Sequence, residues 1–143
     1  MKIRLSRLND AVHFQAVNED GVAVQMDGAP AIGGEGNGAR PMELLIMALG
    51  GCSGIDISLI LKKQRLTMSH FDVEIDAERE QGKEPALFEN IHAKFIVEGE
   101  IPVEKMNRAV ELSMTKYCSV AKTLEKSANI TYEVWLNNEK ISD

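Results

Sequence analysis

Residues 41–66 read PMELLIMALGGCSGIDISLILKKQRL, and the architecture of the chain follows from them. Apolar side chains dominate this stretch, and Pro41 stands where the first turn of a helix tolerates proline. Its last residues include KKQR, which supplies the basic side chains that favour the carboxyl terminus of a helix. We therefore predict one long central helix from Pro41 to about Leu66.

Residues 44–61 of this helix are long and apolar enough to raise the question of a membrane span. Asp56 lies within them, however, and a carboxylate in the middle of a bilayer is costly. Nothing else in the sequence resembles a span. We therefore predict a helix that is buried in protein, and a soluble molecule.

Three short strands are predicted before the helix. Apolar and polar residues alternate over residues 3–5, 12–16 and 22–26, with a turn at Asp20-Gly21 between the last two runs. This pattern predicts an antiparallel meander over residues 1–26. Residues 27–41, DGAPAIGGEGNGARP, hold five of the eleven glycines and predict an irregular, mobile loop.

After the helix, the pattern predicts two strands, two helices and a final strand over residues 70–137. The apolar residues expected to face the interior are Phe71, Val73, Ile75 and Ala77 in the first strand, Ile91, Ala93, Phe95 and Val97 in the second, Val103, Met106, Val110 and Met114 in the first helix, and Ile130, Tyr132, Val134 and Leu136 in the last strand. The order β-β-β-α-β-β-α-α-β, with strands in antiparallel runs, predicts a single α+β domain over residues 1–143.

Charge and composition exclude several classes of function. The 143 residues carry 16 Lys and Arg against 22 Asp and Glu, a net charge of −6, so the chain would repel a nucleic acid or an anionic membrane. Two cysteines do not make a disulfide framework, and the N-terminal residues lack the apolar stretch of a signal peptide. We predict a cytoplasmic protein.

Cys52 lies in the helix within LGGCSG, among three glycines that each cost about 1 kcal/mol relative to alanine. One interpretation is that bare glycines let another helix approach closely. The other is that they leave room for a substrate beside the sulfur. The periodicity favours close packing but leaves both interpretations open.

Cys118 lies at the expected start of the second short helix, where free backbone amides, with Lys122 one turn on, favour a thiolate. A free cysteine is nevertheless more often an inert buried residue. The separation of 66 positions between Cys52 and Cys118 excludes a CxxC redox motif, and His13, His70 and His92 have no metal-ligand spacing. We predict no metal site.

Two motifs identify a family resemblance. The segments RPMELLIMALGGC, residues 40–52, and YCSVAKTL, residues 117–124, closely resemble those of the OsmC/Ohr family, named for osmotically inducible protein C and organic hydroperoxide resistance protein. The separation of the motifs and the order of the elements agree with this family. The resemblance covers essentially the whole chain.

The resemblance implies an intertwined α+β homodimer with antiparallel sheets around a long central helix and two reaction centres at the interface. It also implies that Cys52 is a peroxidatic cysteine, which attacks an organic hydroperoxide and becomes a sulfenic acid. Cys118 would be the resolving cysteine, and a dithiol such as a lipoylated protein would reduce the resulting disulfide. No metal or flavin cofactor is implied.

The sequence departs from the family pattern beside the first cysteine. Met42 stands ten residues before Cys52, where catalytic members carry a glutamate paired with an arginine. Glu43 is the nearest substitute, but nine helical residues place it about 180° around the helix unless the helix breaks after it. Arg40 is the best candidate for the arginine. These departures indicate a less-characterised branch with the Leu-Gly-Gly-Cys motif.

Asp56 lies one turn from Cys52, where an unpaired carboxylate would disfavour the thiolate. It would otherwise position a water, bind an arginine or form a satisfied interface contact, and the last is favoured. The leading expectation is a cysteine-based peroxidase of oxidative stress defence, acting through Cys52 and Cys118 with Arg40 and Glu43 as supporting residues. The alternative is a non-catalytic dimer that binds a small apolar ligand in its interface cavity. A general thiol–disulfide exchanger ranks last.

Overall fold

A computed structural model of the protein describes residues 1–142, in which contacts divide the chain into two compact units, Met1–Leu45 and Ile46–Asp143. Both helices and strands are present, which confirms the α+β class. The elements are β1 (Arg4–Arg7), β2 (Phe14–Val17), β3 (Ala23–Met26), α1 (Pro41–Lys63), β4 (His70–Arg79), β5 (Phe88–Glu98), α2 (Val103–Leu112), α3 (Ser119–Leu124), β6 (Asn129–Leu136) and β7 (Glu139–Lys140).

The first unit contains the predicted antiparallel meander, in the order β1-β2-β3. The turn before β3 is closed by Asn18, whose side-chain oxygen accepts hydrogen bonds from the amides of Asp20 and Val22. Gly21 takes the positive φ of 83° that this turn requires. Most residues of β1 and β3 are exposed, so this sheet does not build a covered core of its own from the residues of this chain.

The glycine-rich loop is organised around one buried carboxylate, that of Asp27. Its two oxygens accept hydrogen bonds from the backbone amides of Gly28, Glu35 and Asn37, at 2.8, 3.0 and 3.1 Å. Gly34 passes so close to the carbonyl of Gly28 that a Cβ would overlap it. The segment that the sequence predicted to be an irregular loop therefore contains an ordered turn, which includes a 3₁₀ helix at Pro30–Ile32.

Helix α1 ends three residues earlier than predicted. Arg65 adopts a left-handed φ of 59°, its amide bonds to the carbonyl of Lys62, and the amide of Leu66 bonds to the carbonyl of Leu61. This is a Schellman motif. Because arginine rather than glycine occupies the left-handed position, the sequence carried no signal for this stop.

Among the described residues, α1 is the one helix with the length and apolar composition needed to cross a membrane. Core helices of soluble proteins share this property. Its buried residues are Leu49, Ser53, Ile57 and Leu61, which form a single stripe at a spacing of four.

The second unit contains a four-stranded sheet in the order β4-β5-β6-β7. Ile91, Ala93, Phe95 and Val97 of β5 are all buried, as predicted, and β4 alternates between half-buried apolar and exposed residues. The prediction of antiparallel runs was wrong for one pair, because β5 and β6 are parallel. The α2 and α3 segment between them forms the crossover that a parallel pair requires.

The amphipathic pattern of α2 is confirmed at Met106 and Val110, which are fully buried, and at Met114 beyond its end. Val103 was expected on the same stripe, but 48% of its surface is exposed. Val103 is the first residue of α2 and directly follows the N-cap residue Pro102.

The loop around Asp27 yields a prediction about pH. Hydrogen bonding from the Asn37 amide, and less strongly from those of Glu35 and Gly28, outweighs burial and lowers the pKa of Asp27 below its ordinary value. The charged carboxylate therefore stabilises the loop above the ordinary aspartate pKa, and this contribution is lost as the pH falls through the lowered pKa. Asp27→Asn should reduce hydrogen-exchange protection of the Glu35 and Asn37 amides near neutral pH, and the difference from wild type should shrink in acid.

Asp20→Asn is the matched control, because Asp20 lies in the same unit with an exposed side chain. Its protection pattern should equal that of the wild type. Unchanged protection of Glu35 and Asn37 in Asp27→Asn would contradict the role given to the Asp27 carboxylate.

Candidate active site

Two cysteines that are 66 positions apart in sequence meet in the second unit. The Sγ atoms of Cys52 and Cys118 and a carboxylate oxygen of Asp56 all lie within 4.8 Å of one another. Cys52 and Asp56 come from successive turns of α1, and Cys118 comes from the junction before α3. Both thiols are free.

Helix α1 presents Cys52 beside its buried stripe. The adjacent residue Ser53 is fully buried, and its hydroxyl donates a hydrogen bond of 2.7 Å to the carbonyl of Leu49 one turn earlier. This bond satisfies a hydroxyl that would otherwise be costly to bury. Cys52, one position earlier, is only partly buried.

A π-helical turn at Ser113–Tyr117 positions the second cysteine. Its end is fixed by the amide of Cys118, which donates a hydrogen bond of 2.7 Å to the carbonyl of Ser113. Cys118 then acts as the N-cap of α3, and its sulfur accepts a hydrogen bond from the Ala121 amide at 3.3 Å. Such π turns often occur at functional sites.

The environment of Cys118 favours the neutral thiol. Burial raises the pKa of Cys118 to about 11, the Ala121 amide opposes the increase, and the neighbouring Cys52 adds to it. The sequence pattern indicated the opposite, a thiolate favoured by the helix terminus and by Lys122. Desolvation outweighs the helix terminus, and the Lys122 ammonium pairs instead with Glu125 at 2.6 Å.

Asp56 is tied to the π turn by Ser113, whose hydroxyl donates a hydrogen bond of 3.0 Å to Oδ2. Ser113 is fully buried and was not singled out from the sequence. A signal was present, because Ser113 continues the buried stripe of Met106 and Val110 at helical spacing. A hydroxyl at such a position has to find a partner, and Asp56 is that partner.

The glycines of α1 leave open space instead of close packing. A Cβ on Gly51 would meet nothing within 4 Å, and one on Gly54 would meet only Phe71, at 3.9 Å. Only Gly50 faces a tight neighbour, Ile75, at 3.3 Å. Within the described residues, therefore, no second helix packs on Gly51 or Gly54, and these glycines leave room.

That room is an apolar groove along α1. One part, about 390 Å³, lies against Phe71 and Val73, and a second part, about 380 Å³, lies against Val73 and Ile75. Gly50 and Gly51 line both parts. Gly51 directly precedes Cys52 in the sequence, but Cys52 itself lines neither part.

The two remaining candidate residues, Arg40 and Glu43, belong to the first unit. Glu43 Oε1 accepts a hydrogen bond of 2.8 Å from the amide of Arg40 and so caps the start of α1. The helix continues without a break after Glu43. The roles expected for Arg40 and Glu43 stay predictions.

Comparison with known proteins gives a consistent result. The family model described as "OsmC-like protein" matches residues 34–133. Protein YhfA of Escherichia coli K12 is 47% identical over 97 residues, which cover 66% of this chain and 72% of YhfA. A crystal structure of a hypothetical protein from Aquifex aeolicus VF5 is 30% identical, with a TM-score of 0.78 over 95% of this chain and 96% of that one.

The fold also matches that of more distant proteins. The organic hydroperoxide resistance protein OhrB of Bacillus subtilis is 17% identical and aligns with a TM-score of 0.62 over 94% of this chain and 98% of its own. At this identity the likeness concerns the fold alone. Taken with the family model, which spans 100 of the 143 residues, these matches show that the chain belongs to the OsmC-like family.

Proposed function

We propose that the protein is a thiol-dependent peroxidase that reduces organic hydroperoxides in oxidative stress defence. The observation that carries the proposal is the meeting of Cys52 and Cys118 within 4.8 Å. Family membership supports it, since fold relatives include organic hydroperoxide resistance proteins from Bacillus subtilis and Elizabethkingia anophelis. OsmC-like proteins are soluble, and we place this one in the cytoplasm.

In the first step, the Cys52 thiolate attacks the terminal oxygen of the hydroperoxide. A sulfur–oxygen bond forms, the oxygen–oxygen bond breaks, and the alkoxide takes up a proton and leaves as an alcohol. Cys52 is the better candidate for this step because it is partly open, whereas Cys118 is fully buried and its raised pKa keeps it protonated. The thiolate is the nucleophilic form of a cysteine.

In the second step, the Cys118 sulfur displaces hydroxide from the Cys52 sulfenic acid. A disulfide forms, and the hydroxide leaves as water with the proton of the Cys118 thiol. The two sulfurs must close from within 4.8 Å to about 2.0 Å for this bond to form. A dithiol such as a lipoylated protein then reduces the disulfide and is itself oxidised.

The apolar groove along α1, the helix that carries Cys52, supports an organic hydroperoxide as the substrate. Its walls are glycines of α1 and apolar side chains that offer contact to a hydrocarbon tail. These side chains are Phe71, Val73 and Ile75, together with Met47, Ile55 and Leu59 of α1, which a second copy would also contact. Hydrogen peroxide would gain nothing from these contacts. We therefore infer that organic hydroperoxides react faster than hydrogen peroxide.

We further propose that the working form is an intertwined homodimer. Met47, Ile55 and Leu59 of α1 are 56%, 62% and 52% exposed in the single chain. An apolar helix face of this kind is normally covered, and a second copy would cover it without further components. The exposed strands of the first unit support the same conclusion, because a three-stranded sheet needs a covered apolar face.

Mass spectrometry of the intact protein after one equivalent of cumene hydroperoxide tests the cysteine chemistry. The wild type should lose two hydrogen atoms, because Cys52 and Cys118 end in a disulfide. Cys118→Ser should gain one oxygen, because its sulfenic acid has no partner. Cys52→Ser is the matched control and should show neither change nor turnover.

An added oxygen on Cys52→Ser would assign the peroxidatic role to the other cysteine. No change in any of the three proteins would contradict the peroxidase and favour the alternative, a dimer that binds an apolar ligand. Native mass spectrometry would then be expected to show a co-purifying small molecule.

Arg40 stays a proposed supporting residue, on the strength of the family resemblance. For Glu43 the unbroken helix removes the condition under which it could act beside Cys52, so a capping role is expected. If the Arg40 guanidinium stabilises the Cys52 thiolate, Arg40→Ala should slow oxidation of Cys52 by about 100-fold, the scale on which a lost electrostatic stabiliser acts. Stopped-flow measurement with cumene hydroperoxide gives this rate. Arg7→Ala, at an exposed strand position in the same unit, is the control and should leave the rate unchanged.

Glu43→Gln separates a catalytic from a capping role. Glutamine retains an oxygen that can accept the Arg40 amide but lacks the charge, so a slower reaction with unchanged stability would support the catalytic role. Equal rates for wild type, Arg40→Ala and Glu43→Gln would remove both residues from the site.

The proposed dimer is tested by Ile55→Asp and Leu59→Asp, which place a charge on the exposed face of α1. Light scattering after gel filtration should give a dimer for the wild type and a monomer for these variants, because an unpaired carboxylate is costly to bury. Val103→Asp alters an equally exposed apolar residue on α2 and should leave the dimer intact. Monomeric wild type would contradict the proposal.

A further inference from the structure

We propose that Cys52, Cys118 and Asp56 also form a binding site for a Zn²⁺ ion in the reduced protein. Among residues 1–142 these side chains are the one group of three metal-ligating residues whose donor atoms all approach within 4.8 Å. The proposal concerns an equilibrium of the reduced thiols. It therefore does not depend on any reaction with a peroxide.

The donor set fits zinc. Two thiolates and one carboxylate are ligands of the kind that Zn²⁺ accepts, and three protein ligands leave a fourth tetrahedral position for water. With a zinc–sulfur length of about 2.3 Å, two sulfurs on one ion lie about 3.8 Å apart. Two sulfurs that already lie within 4.8 Å of each other need to close by about 1 Å at most.

The scaffold holds two of the donors rigidly. Cys52 and Asp56 lie four residues apart on α1, so they project from one face in successive turns. The same spacing serves paired metal ligands on helices in general. The third donor, Cys118, is placed by a different element, the π turn, as a site that encloses an ion requires.

Ser113 plays the part of an outer partner. Its hydroxyl donates to Asp56 Oδ2 at 3.0 Å and is itself fully buried, which orients the carboxylate before any ion arrives. Ligating carboxylates are commonly held by such hydrogen bonds. A bound ion would explain why a carboxylate lies beside two thiols. In a peroxidase without an ion, a neutral or basic residue at this position would favour the Cys52 thiolate more.

Binding and oxidation exclude each other. Each thiol that binds the ion releases its proton to solvent, so binding is expected to be coupled to proton release. The disulfide proposed above contains no thiolate, and its formation from two bound sulfurs would release the ion. The reduced site would thus hold zinc, and hydroperoxide would discharge it.

The test is a titration of the full-length, fully reduced chain with Co²⁺ under anaerobic conditions. We expect one ion per chain, with a thiolate-to-cobalt charge-transfer band and the visible bands of tetrahedral cobalt. Zn²⁺ should remove both signals, because it binds such sites more tightly than Co²⁺. Wild-type protein without the charge-transfer band would overturn the proposal.

Variants assign the ligands. Cys52→Ser and Cys118→Ser should each reduce the intensity of the charge-transfer band and weaken zinc binding, and Asp56→Asn should weaken zinc binding by about tenfold or more while the thiol count stays at two. Asp72→Asn changes an exposed aspartate paired with His70 and is the matched control, which should bind like the wild type. Unchanged affinity in Asp56→Asn would overturn the three-donor site.

A replacement ligand guards against a variant that fails to fold. Asp56→Cys offers a third thiolate at the same position and should strengthen the charge-transfer band. Oxidation of wild-type protein to the disulfide should abolish the band, and reduction should restore it. A band that survives complete loss of free thiols would show that the cobalt is bound elsewhere and would overturn the proposal.

Discussion

The hydrogen bond from Ser113 to Asp56 is the contact on which the rest of the site depends. It joins the π turn to the middle of α1, and both cysteines take their places relative to it: Cys52 one turn before Asp56, and Cys118 at the end of the turn that Ser113 begins. The backbone bond between Cys118 and Ser113 closes the arrangement. Two thiols far apart in sequence thus meet where a buried hydroxyl joins the two elements that carry them.

Much of the fold could be predicted because its periodicities are strong. The alternation of β4 and β5 and the helical spacing of Met106 and Val110 each report a buried face directly. The predictions that failed concern features set by individual backbone conformations or by contacts between distant elements, which no local sequence pattern indicates. The Arg65 stop uses an uncommon residue for its φ angle, and the parallel pairing of β5 with β6 follows from the crossover rather than from either strand.

The site was predictable in part for the same reason. The two cysteines stand in recognisable motifs, but the effect of burial on Cys118 could not be read from its helix-start position, because desolvation depends on the whole surrounding core. Asp27 shows a related limit. A glycine-rich segment has no apolar periodicity. The hydrogen bonds that the Asp27 carboxylate accepts from three backbone amides therefore could not be predicted from the sequence.

Helix α1 combines two demands that conflict. It is apolar nearly all round, which is typical of a helix covered on every side, yet only one stripe is buried within the chain. Glycines on another part of its surface leave an apolar groove open, and larger residues there would have closed it. Part of the helix surface therefore lines a cavity instead of packing within the chain. The apolar residues left exposed are those that a second copy would cover. The proposed substrate groove and the proposed dimer face thus share Ile55 and Leu59, so in the proposed dimer a second copy would form part of the groove wall.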